Sequence, residues 1–389
     1  MTIPAEPPQA STGEVIVHVF GRTDVGRTRE HNEDAFLVAD LSTDNASLQP
    51  EVRTHVVGPR GTLFMVADGL GGAAAGEIAS ELAVNTVYEQ LRDRWTRSER
   101  TDPEAFATAI KSAAEAANGR IYSFALEHPE YRGLGTTATI AGLLGDTLYL
   151  AQVGDSRAYL VRDAVARQIT KDQSLMQRLI EAGELTPDEA ERSERRNIIL
   201  QALGPEPVVK IDLTFQKLRR GDTLVLCTDG LSGLVRKDEI AEVVSSGMDL
   251  LDVCRELIDR ANENGGPDNI TVIAARFEGS GLADAEPDDA VGHAPFQLPG
   301  TETPSHPRHR FETARAALRR STPREASVVD DAGDPPPRRM DHTARAWLLA
   351  LASTLLLALV FLAARHWRES APRAPAPVDT TAAGTMRNP

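Results

Sequence analysis

Three apolar, β-prone runs in this chain each end in an aspartate beside a small residue. They are residues 63–69 (LFMVADG), 147–156 (TLYLAQVGDS) and 222–230 (DTLVLCTDG). Each reads as a buried strand that stops at its acid. A fourth run is reversed. In GGPDNITVIAAR, Asp268 comes just before the strand 270–275. If that strand runs antiparallel to the others, Asp268 lies at the same sheet edge as Asp68, Asp155 and Asp229. A fifth acidic pair, Glu33 and Asp34, precedes the run AFLVA. One strand-ending Asp is ordinarily a turn or cap residue. Four in one domain, each beside Gly or Asn, argue for more than that.

Carboxylates gathered at one edge repel and raise each other's pKa unless a cation neutralises them. All-oxygen donors select hard ions such as Mg²⁺, Mn²⁺ or Ca²⁺. No His pair at i, i+4 accompanies the acids, which disfavours zinc. Gly69 lets a backbone carbonyl approach an ion with no side chain in the way. A pair of such ions suits phosphoryl chemistry, because it can acidify a water and aim it at phosphorus. An Arg is then wanted for the phosphate oxygens. The segment DVGRTREHNEDA offers Arg27 and Arg29 beside Glu33 and Asp34. Read as a strand, it puts Arg29 on the same face as Glu33. A solvated charge is the plainer reading of either Arg.

The chain has 389 residues, 41% apolar and 25% charged, which excludes collagen, coiled coil and full disorder. Its net charge of −15 argues against nucleic-acid binding through a basic surface. Residues 280–389 hold 13 basic and 13 acidic side chains, so the first 279 carry the whole excess. Two cysteines, Cys227 and Cys254, make no disulfide framework and fit a reducing compartment. Cys227 falls inside a buried strand. Cys254 and Arg260 have the C-x₅-R spacing of cysteine phosphatases, but CRELIDR is helical and lacks glycine, so Cys254 reads as helix core. Neither a P-loop nor a GxSxG elbow occurs. Apolar spacing predicts sheet-packing helices over 77–95 and 103–126.

The organisation reads as five parts. Residues 1–14 (MTIPAEPPQASTGE) carry no basic and no apolar signal region and read as disordered. Residues 15–278 alternate strand and helix patterns and form the globular domain. Residues 279–344, with AEPDDA, TETPSHPRHR and DPPPRRM, read as a Pro-rich linker, its stretch 311–320 alone offering a short basic helix. Residues 345–365 enclose a run of 19 uncharged residues (346–364) with Trp347 and Trp367 near its ends, the pattern of one transmembrane helix. Residues 366–389 are a short tail. Arginines are nearly balanced across the apolar run (Arg338, Arg339, Arg345 against Arg365, Arg368, Arg373). The absent signal peptide and the cysteine usage favour a cytoplasmic domain on a single-pass membrane anchor.

Six ordered blocks resemble the bacterial metal-dependent Ser/Thr protein phosphatases, the PPM or protein phosphatase 2C-like family. They are DVGRTREHNEDA, VADGLGGAAAGEIAS, GLGTTAT, VGDSRAYL, CTDGLSGLV and GGPDNITVI, spanning residues 20–277. The resemblance implies an α+β fold, a central β-sandwich of two antiparallel sheets flanked by helices in four αββα layers. It implies two core Mn²⁺ or Mg²⁺ ions bridged by Asp68. The Gly69 carbonyl and, through water, Glu33 or Asp34 complete that shell, while Asp229 and Asp268 hold the other ion. Asp155, with Asp229, serves a third, weaker ion. Arg29 clamps the substrate phosphate. Residues 171–197 form a flap, and Gly135, Thr136 and Thr137 sit in the sheet. Where eukaryotic members carry a His after the bridging Asp-Gly, this chain has Leu70. The leaving-group proton donor is then a metal-bound water or His31, itself more simply a surface His.

Two functions follow from the resemblance. One is an active phosphatase, hydrolysing phosphoserine and phosphothreonine proteins without a covalent intermediate and opposing a Ser/Thr kinase near the membrane. The other is a pseudophosphatase that only binds phosphoproteins. The complete acidic set and Arg29 favour the first. The tail is too short for a sensor domain, so lipid contact through the apolar helix reads as tethering.

Overall fold

The computed structural model describes residues 13–298, apart from 44, 48–52, 132 and 194. The chain opens with β1 (Ile16–Asp24), β2 (Asp34–Asp40), β3 (Asn45–Ser47), β4 (Arg53–Val56) and β5 (Thr62–Leu70). Helix α1 (Ala73–Gln90) runs into a wider, π-type turn, Leu91–Trp95, and α2 (Pro103–Glu127) returns. Five strands follow: β6 (Gly135–Thr136), β7 (Ala138–Leu144), β8 (Thr147–Val153), β9 (Arg157–Arg162) and β10 (Val165–Gln168). Short helices α3 (Leu175–Glu181) and α4 (Pro187–Glu191) precede β11 (Asp212–Lys217) and β12 (Thr223–Cys227). Helices α5 (Asp229–Ser232), α6 (Lys237–Val244) and α7 (Leu250–Glu263) lead to β13 (Ile270–Glu278).

The strands form two antiparallel sheets. One runs β10-β9-β12-β13-β1-β4, the other β11-β8-β7-β5-β2-β3, with β6 added at the end of β5. The central runs are apolar without alternation because both faces of each sheet are covered. Phe64 and Val66 of β5 meet Leu224, Leu226, Ile273 and Phe277 between the sheets, with Phe64 edge-on to Phe277 at 6.3 Å. Leu63, Met65 and Ala67 point the other way, under α1 and α2. Val272 and Ala274 of β13 likewise pack under α6 and α7. The expected sandwich flanked by helices is therefore observed. Fully burying each such Leu, Ile or Phe contributes about 1.5–3 kcal/mol.

Both expected long helices form. Asp102 caps α2 by accepting from the Ala105 N–H at 3.0 Å, with Pro103 at the first turn. Helix α1 begins at Ala73, ahead of the expected 77, because Gly72, at φ +89°, lets the chain turn into it directly after β5. Cys227 and Cys254 are fully buried in β12 and α7.

Two expectations are corrected. The runs do not all stop at their acids. β5 continues through Gly69 and Leu70, which pair with Thr136 and Gly135, and Asp229 opens α5 after β12 has ended. The globular part also does not end at 278. Residues 279–298 pack back as a strap. Leu282 is 1% exposed in the inter-sheet core. Phe215 N–H donates to the Ala294 carbonyl at 2.9 Å and Phe296 N–H to the Leu213 carbonyl at 2.8 Å, covering the β11 edge. A polar, Pro-containing segment can dock this way because an open strand edge supplies backbone partners that no composition count records. The rest of the Pro-rich linker, the apolar run 346–364, the tail and residues 1–12 lie outside the described residues. Among the described residues no helix is long and apolar enough to cross a membrane.

Candidate metal centre

The predicted acids gather at one end of the sandwich, drawn from both sheets. Asp34 and Asp68 are directly opposite each other on β2 and β5. Asp155 follows β8 through Gly154, whose φ of +96° turns the chain at the sheet end. Asp229 and Asp268 come from the other sheet. β12 and β13 are antiparallel with Cys227 opposite Val272, so the residues just after β12 and just before β13 emerge together. The Thr228 N–H donates to the Thr271 carbonyl at 3.1 Å and extends that pairing to the edge.

Threonine and asparagine side chains hold this cluster; Thr136 and Thr137 were expected in the sheet, while Thr228, Thr271 and Asn269 were given no role by the sequence reading. The Thr228 and Thr271 hydroxyls donate to Asp34 Oδ2 at 2.9 and 2.6 Å. Asn269 Oδ1 accepts from the Glu33 N–H at 2.8 Å, and its Nδ2 donates to the carbonyls of Val25 and His31. Asp68 is fixed through its backbone. Its N–H donates to Thr137 Oγ1 at 2.9 Å, and Thr136 Oγ1 donates to its carbonyl at 2.8 Å. The usable signal was adjacency, since a Thr or Asn flanks Asp229 and Asp268 in CTDG and DNIT. Gly69 and Gly76 also matter. A Cβ on Gly69 would meet the Gly76 and Glu33 carbonyls, and one on Gly76 would meet the Glu33 carboxylate.

Arg29 and Glu33 do meet, with Nη1 and Oε1 3.7 Å apart, and Arg29 Nη2 donates to Asp268 Oδ2 at 3.0 Å. They do not lie along a strand, as the sequence reading had it. Residues 25–33 form turns, with Gly26 at φ +79° and Arg27 N–H on the Gly266 carbonyl at 2.7 Å. The Arg29 side chain is 45% exposed at the edge of the cluster. His31 is exposed on the same loop, and Leu70 is half-buried at the end of β5. The expected flap is two short helices, α3 and α4, broken where Gly183 adopts φ +71°. Its base is stapled beside Asp155, since Gln173 N–H donates to the Gly154 carbonyl at 2.8 Å and Gln173 Oε1 accepts from the Gly154 N–H at 3.1 Å.

The cluster is electrostatically expensive without a counter-charge. Burial, then Asp34, Asp229, Asp155 and Asp268, holds the Asp68 carboxyl well above the usual range. Burial pushes Asp34 up to about 7, against the two Thr hydroxyls, with Asp229 and Asp268 adding to it. Burial and Asp229 push Asp155 up to about 7. Asp229 is raised by burial and Asp268, offset by a hydrogen bond from the Asp68 carboxyl, and such a bond needs a proton on one partner. Glu33 is raised, mainly by burial.

Among the described residues no three carboxylate, imidazole or thiolate side chains converge closely enough to enclose an ion alone. The donor set nevertheless fits hard cations. It is all oxygen, and Asp34 Oδ1 and Asp155 Oδ1 are buried without any hydrogen-bond partner. Buried orphan acceptors of this kind cost about 1–3 kcal/mol each, which a cation would relieve.

A pH effect follows. Asp34 and Asp155 titrate near 7 when folded and near ~3.9 when unfolded, so without cations the folded state binds the extra protons. Their contribution to stability is present below about pH 4 and lost as pH rises through about 7. In EDTA the melting temperature is expected to fall from about pH 5 to about pH 8, and Mn²⁺ at a hundred times its dissociation constant to restore about 2.7 kcal/mol per site. A melting temperature that climbs with pH in EDTA would contradict the raised carboxyls.

Comparisons with known proteins agree with this arrangement. The family model described as "Protein phosphatase 2C" matches residues 43–270. The "Serine/threonine phosphatase stp" of Listeria monocytogenes serovar 1/2a is 36% identical over 258 residues, covering 66% of this chain and 94% of the relative. The "Protein phosphatase PhpP" of Streptococcus pneumoniae is 35% identical over 251 residues, covering 64% and 93%. Among solved structures, the Mycobacterium tuberculosis serine/threonine phosphatase PstP/Ppp is 33% identical with a TM-score of 0.57, covering 68% of this chain and 99% of that one. A PstP catalytic domain in complex with 2 manganese ions is 33% identical with a TM-score of 0.55, at the same coverage. Sandwich, carboxylate cluster and similarity together show that this chain belongs to the protein phosphatase 2C family.

Proposed function

We propose that this chain hydrolyses phosphoserine and phosphothreonine on proteins by cation-assisted attack of water, with no covalent enzyme intermediate. The observation that carries this is the gathering of mutually raised carboxyls, with buried orphan oxygens on Asp34 and Asp155, at one end of the sandwich. Asp68, the Gly69 carbonyl, Asp229 and Asp268 would hold two core cations, with Glu33 or Asp34 completing the shell through water. Asp155 with Asp229 would hold a third. Mn²⁺ is our choice of core ion, on the precedent of the manganese-bound relative. Bound divalent cations supply the positive charge that neutralises the acids, polarises the phosphate and acidifies water.

The chain's own groups do the rest. Thr228 and Thr271 fix the Asp34 carboxylate, so its free oxygen is aimed before any ion arrives. Arg29, exposed and held by Asp268 and Glu33, is positioned to take phosphate oxygens bidentately. Cys227 and Cys254 are buried and pushed up to about 12 by that burial, so neither supplies a thiolate nucleophile. Leu70 donates no proton to the leaving group. The uncharged run 346–364 supports a membrane tether, and the two unpaired cysteines, which fit a reducing compartment, support placing the domain on the cytoplasmic side, close to membrane-associated Ser/Thr kinases.

The test is phosphate release from a phosphothreonine peptide by the full chain, with Mn²⁺ and then EDTA. Release is expected with Mn²⁺ only. Binding without release, in a folded Mn²⁺-loaded chain, would favour a phosphoprotein-binding scaffold instead. Arg29→Ala is expected to lower kcat/KM about 10- to 100-fold, the worth of a charge-assisted pair, and Arg29→Lys to recover only part of it. Unchanged kinetics in both variants would remove Arg29 from substrate binding.

A further inference from the structure

Asp34 stands on β2 in one sheet, yet its carboxylate is held from the other. Thr23 and Thr271 lie directly opposite each other on β1 and β13, and Thr228 follows β12. Among the described residues the Thr23 hydroxyl bonds to no carboxylate. It is nevertheless linked to Asp34 on two sides, through Thr271 and through Asn32.

The direction of each bond follows from counting protons. Asn32 Oδ1 accepts from the Asp34 N–H at 3.1 Å, which leaves its Nδ2 to donate to Thr23 Oγ1 at 2.8 Å. A hydroxyl has one proton to give. Thr271 spends its own on Asp34 Oδ2 at 2.6 Å, so Thr23 donates to Thr271 Oγ1 at 2.7 Å. The route Asn32–Thr23–Thr271–Asp34 therefore closes as a ring across the two sheets. From Asn32 onward every proton points toward the Asp34 carboxylate, and bonds aligned in one direction polarise and strengthen one another. Thr228 supplies a second donor. Its hydroxyl donates to the same Oδ2 at 2.9 Å, and its oxygen accepts from the Thr271 N–H at 3.0 Å. Oδ2 is thus filled, while Oδ1 stays buried without a partner. The carboxylate cannot exchange its two oxygens without breaking both hydroxyl bonds. Thr228 and Thr271 are fully buried, so those bonds are shielded from water, whereas Thr23 and Asn32 are half-buried at the rim. Removing the Thr23 hydroxyl would leave Thr271 Oγ1 without that donor and Asn32 Nδ2 without that acceptor.

We propose that Thr23 and Asn32 are positioning residues for cation binding, locking the Asp34 carboxylate through Thr271 so that Oδ1 is presented to the cations of the centre. This rests on the cation-assisted reading above and deepens it. The two residues act only through Thr271 and the Asp34 backbone. Asn32 also belongs to the turn that carries Arg29, so the ring ties that turn to the acid cluster.

The test is calorimetric titration of Mn²⁺ into the cation-stripped full chain, which needs no turnover. Thr23→Val removes the hydroxyl and keeps the branched shape, Thr23→Ala removes it without adding a methyl, and Thr23→Ser restores it. Valine and alanine are each expected to weaken Mn²⁺ binding about three- to tenfold, the scale of one hydrogen bond. Serine should stay within about twofold of the wild type, since it keeps the donor. On an Asp34→Asn background, Thr23→Val should weaken binding by less than about twofold further, because both changes act through one carboxylate. Asn32→Ala should also weaken binding, and combined with Thr23→Val it should give less than the product of the two losses. A purely structural role would lower the melting temperature and leave the Mn²⁺ affinity of the folded chain unchanged, and that result overturns the proposal. So does a loss that serine fails to restore, or one that persists in full beside Asp34→Asn. A wild type that binds Mn²⁺ and meets these expectations but releases no phosphate from a phosphothreonine peptide would strike the phosphatase reading and leave the positioning role standing.

Discussion

Asp68→Asn is expected to lower kcat by at least about a thousandfold, the scale on which removing a transition-state charge partner acts. In EDTA the same substitution is expected to raise the melting temperature by about 2–4 °C, equivalent to about 1 kcal/mol for a domain this large. The two effects share one cause. Asp68 is half-buried, its carboxyl held well above the usual range by desolvation and four other acids, so its ionised form costs stability whenever no cation is bound. Asparagine keeps the shape, removes the charge and can still donate toward Asp229. It leaves the backbone bonds to Thr136 and Thr137 intact. With Mn²⁺ the order should invert, the wild type gaining ligand-linked stability that the variant loses. Phosphate-release kinetics beside melting curves in EDTA and Mn²⁺ decide this. Activity within tenfold of wild type, or a lower melting temperature in EDTA, would show that Asp68 is not the strained acid of this site.

Ending the chain after Glu278 is expected to cost about 4 kcal/mol or more, and so to lower the melting temperature by about 10 °C, relative to a chain ending after Leu298. The loss has several parts. Leu282 leaves the inter-sheet core, where it is 1% exposed. Phe296 leaves its edge-on contacts with Tyr149 at 5.3 Å and Phe215 at 5.9 Å. Asp289, held below the usual carboxylate range by Arg219 and by the Glu286 N–H, is removed, and the largely buried Arg219 loses that partner. The β11 edge is then open to pairing with another chain, so the shortened protein should also aggregate sooner on heating. Melting curves and light scattering of the two lengths measure this. Melting temperatures within about 2 °C would mean the strap is only the first stretch of linker.

Much of this was legible in the sequence because it rests on local rules. Runs such as LFMVA, just ahead of Asp68, are apolar at every position, and only a strand covered on both faces needs that. Asp102-Pro103 announces the start of α2 by capping chemistry alone. The repetition of acid beside small residue at strand ends marked Asp68, Asp155, Asp229 and Asp268 as one set before any fold was known. The Arg29–Glu33 pairing was anticipated for the wrong local reason, since a turn around Gly26, not a strand face, brings the two together.

The sequence by itself determined the buried strands, the two long helices, the acids and their hard-cation chemistry, because strand period, helical spacing and carboxylate repulsion act within a few residues or depend only on residue type; the fold class was what the resemblance of six ordered blocks implied. Only the tertiary structure decided which groups aim those acids and where the domain stops. Thr228 and Thr271 reach Asp34 across about two hundred residues of chain, and Asn269 reaches Glu33 across a similar span. Leu282 and Phe296 look like linker until an open strand edge receives them. Such contacts depend on closing long loops at set registers, and no local pattern of residue types encodes which registers those are.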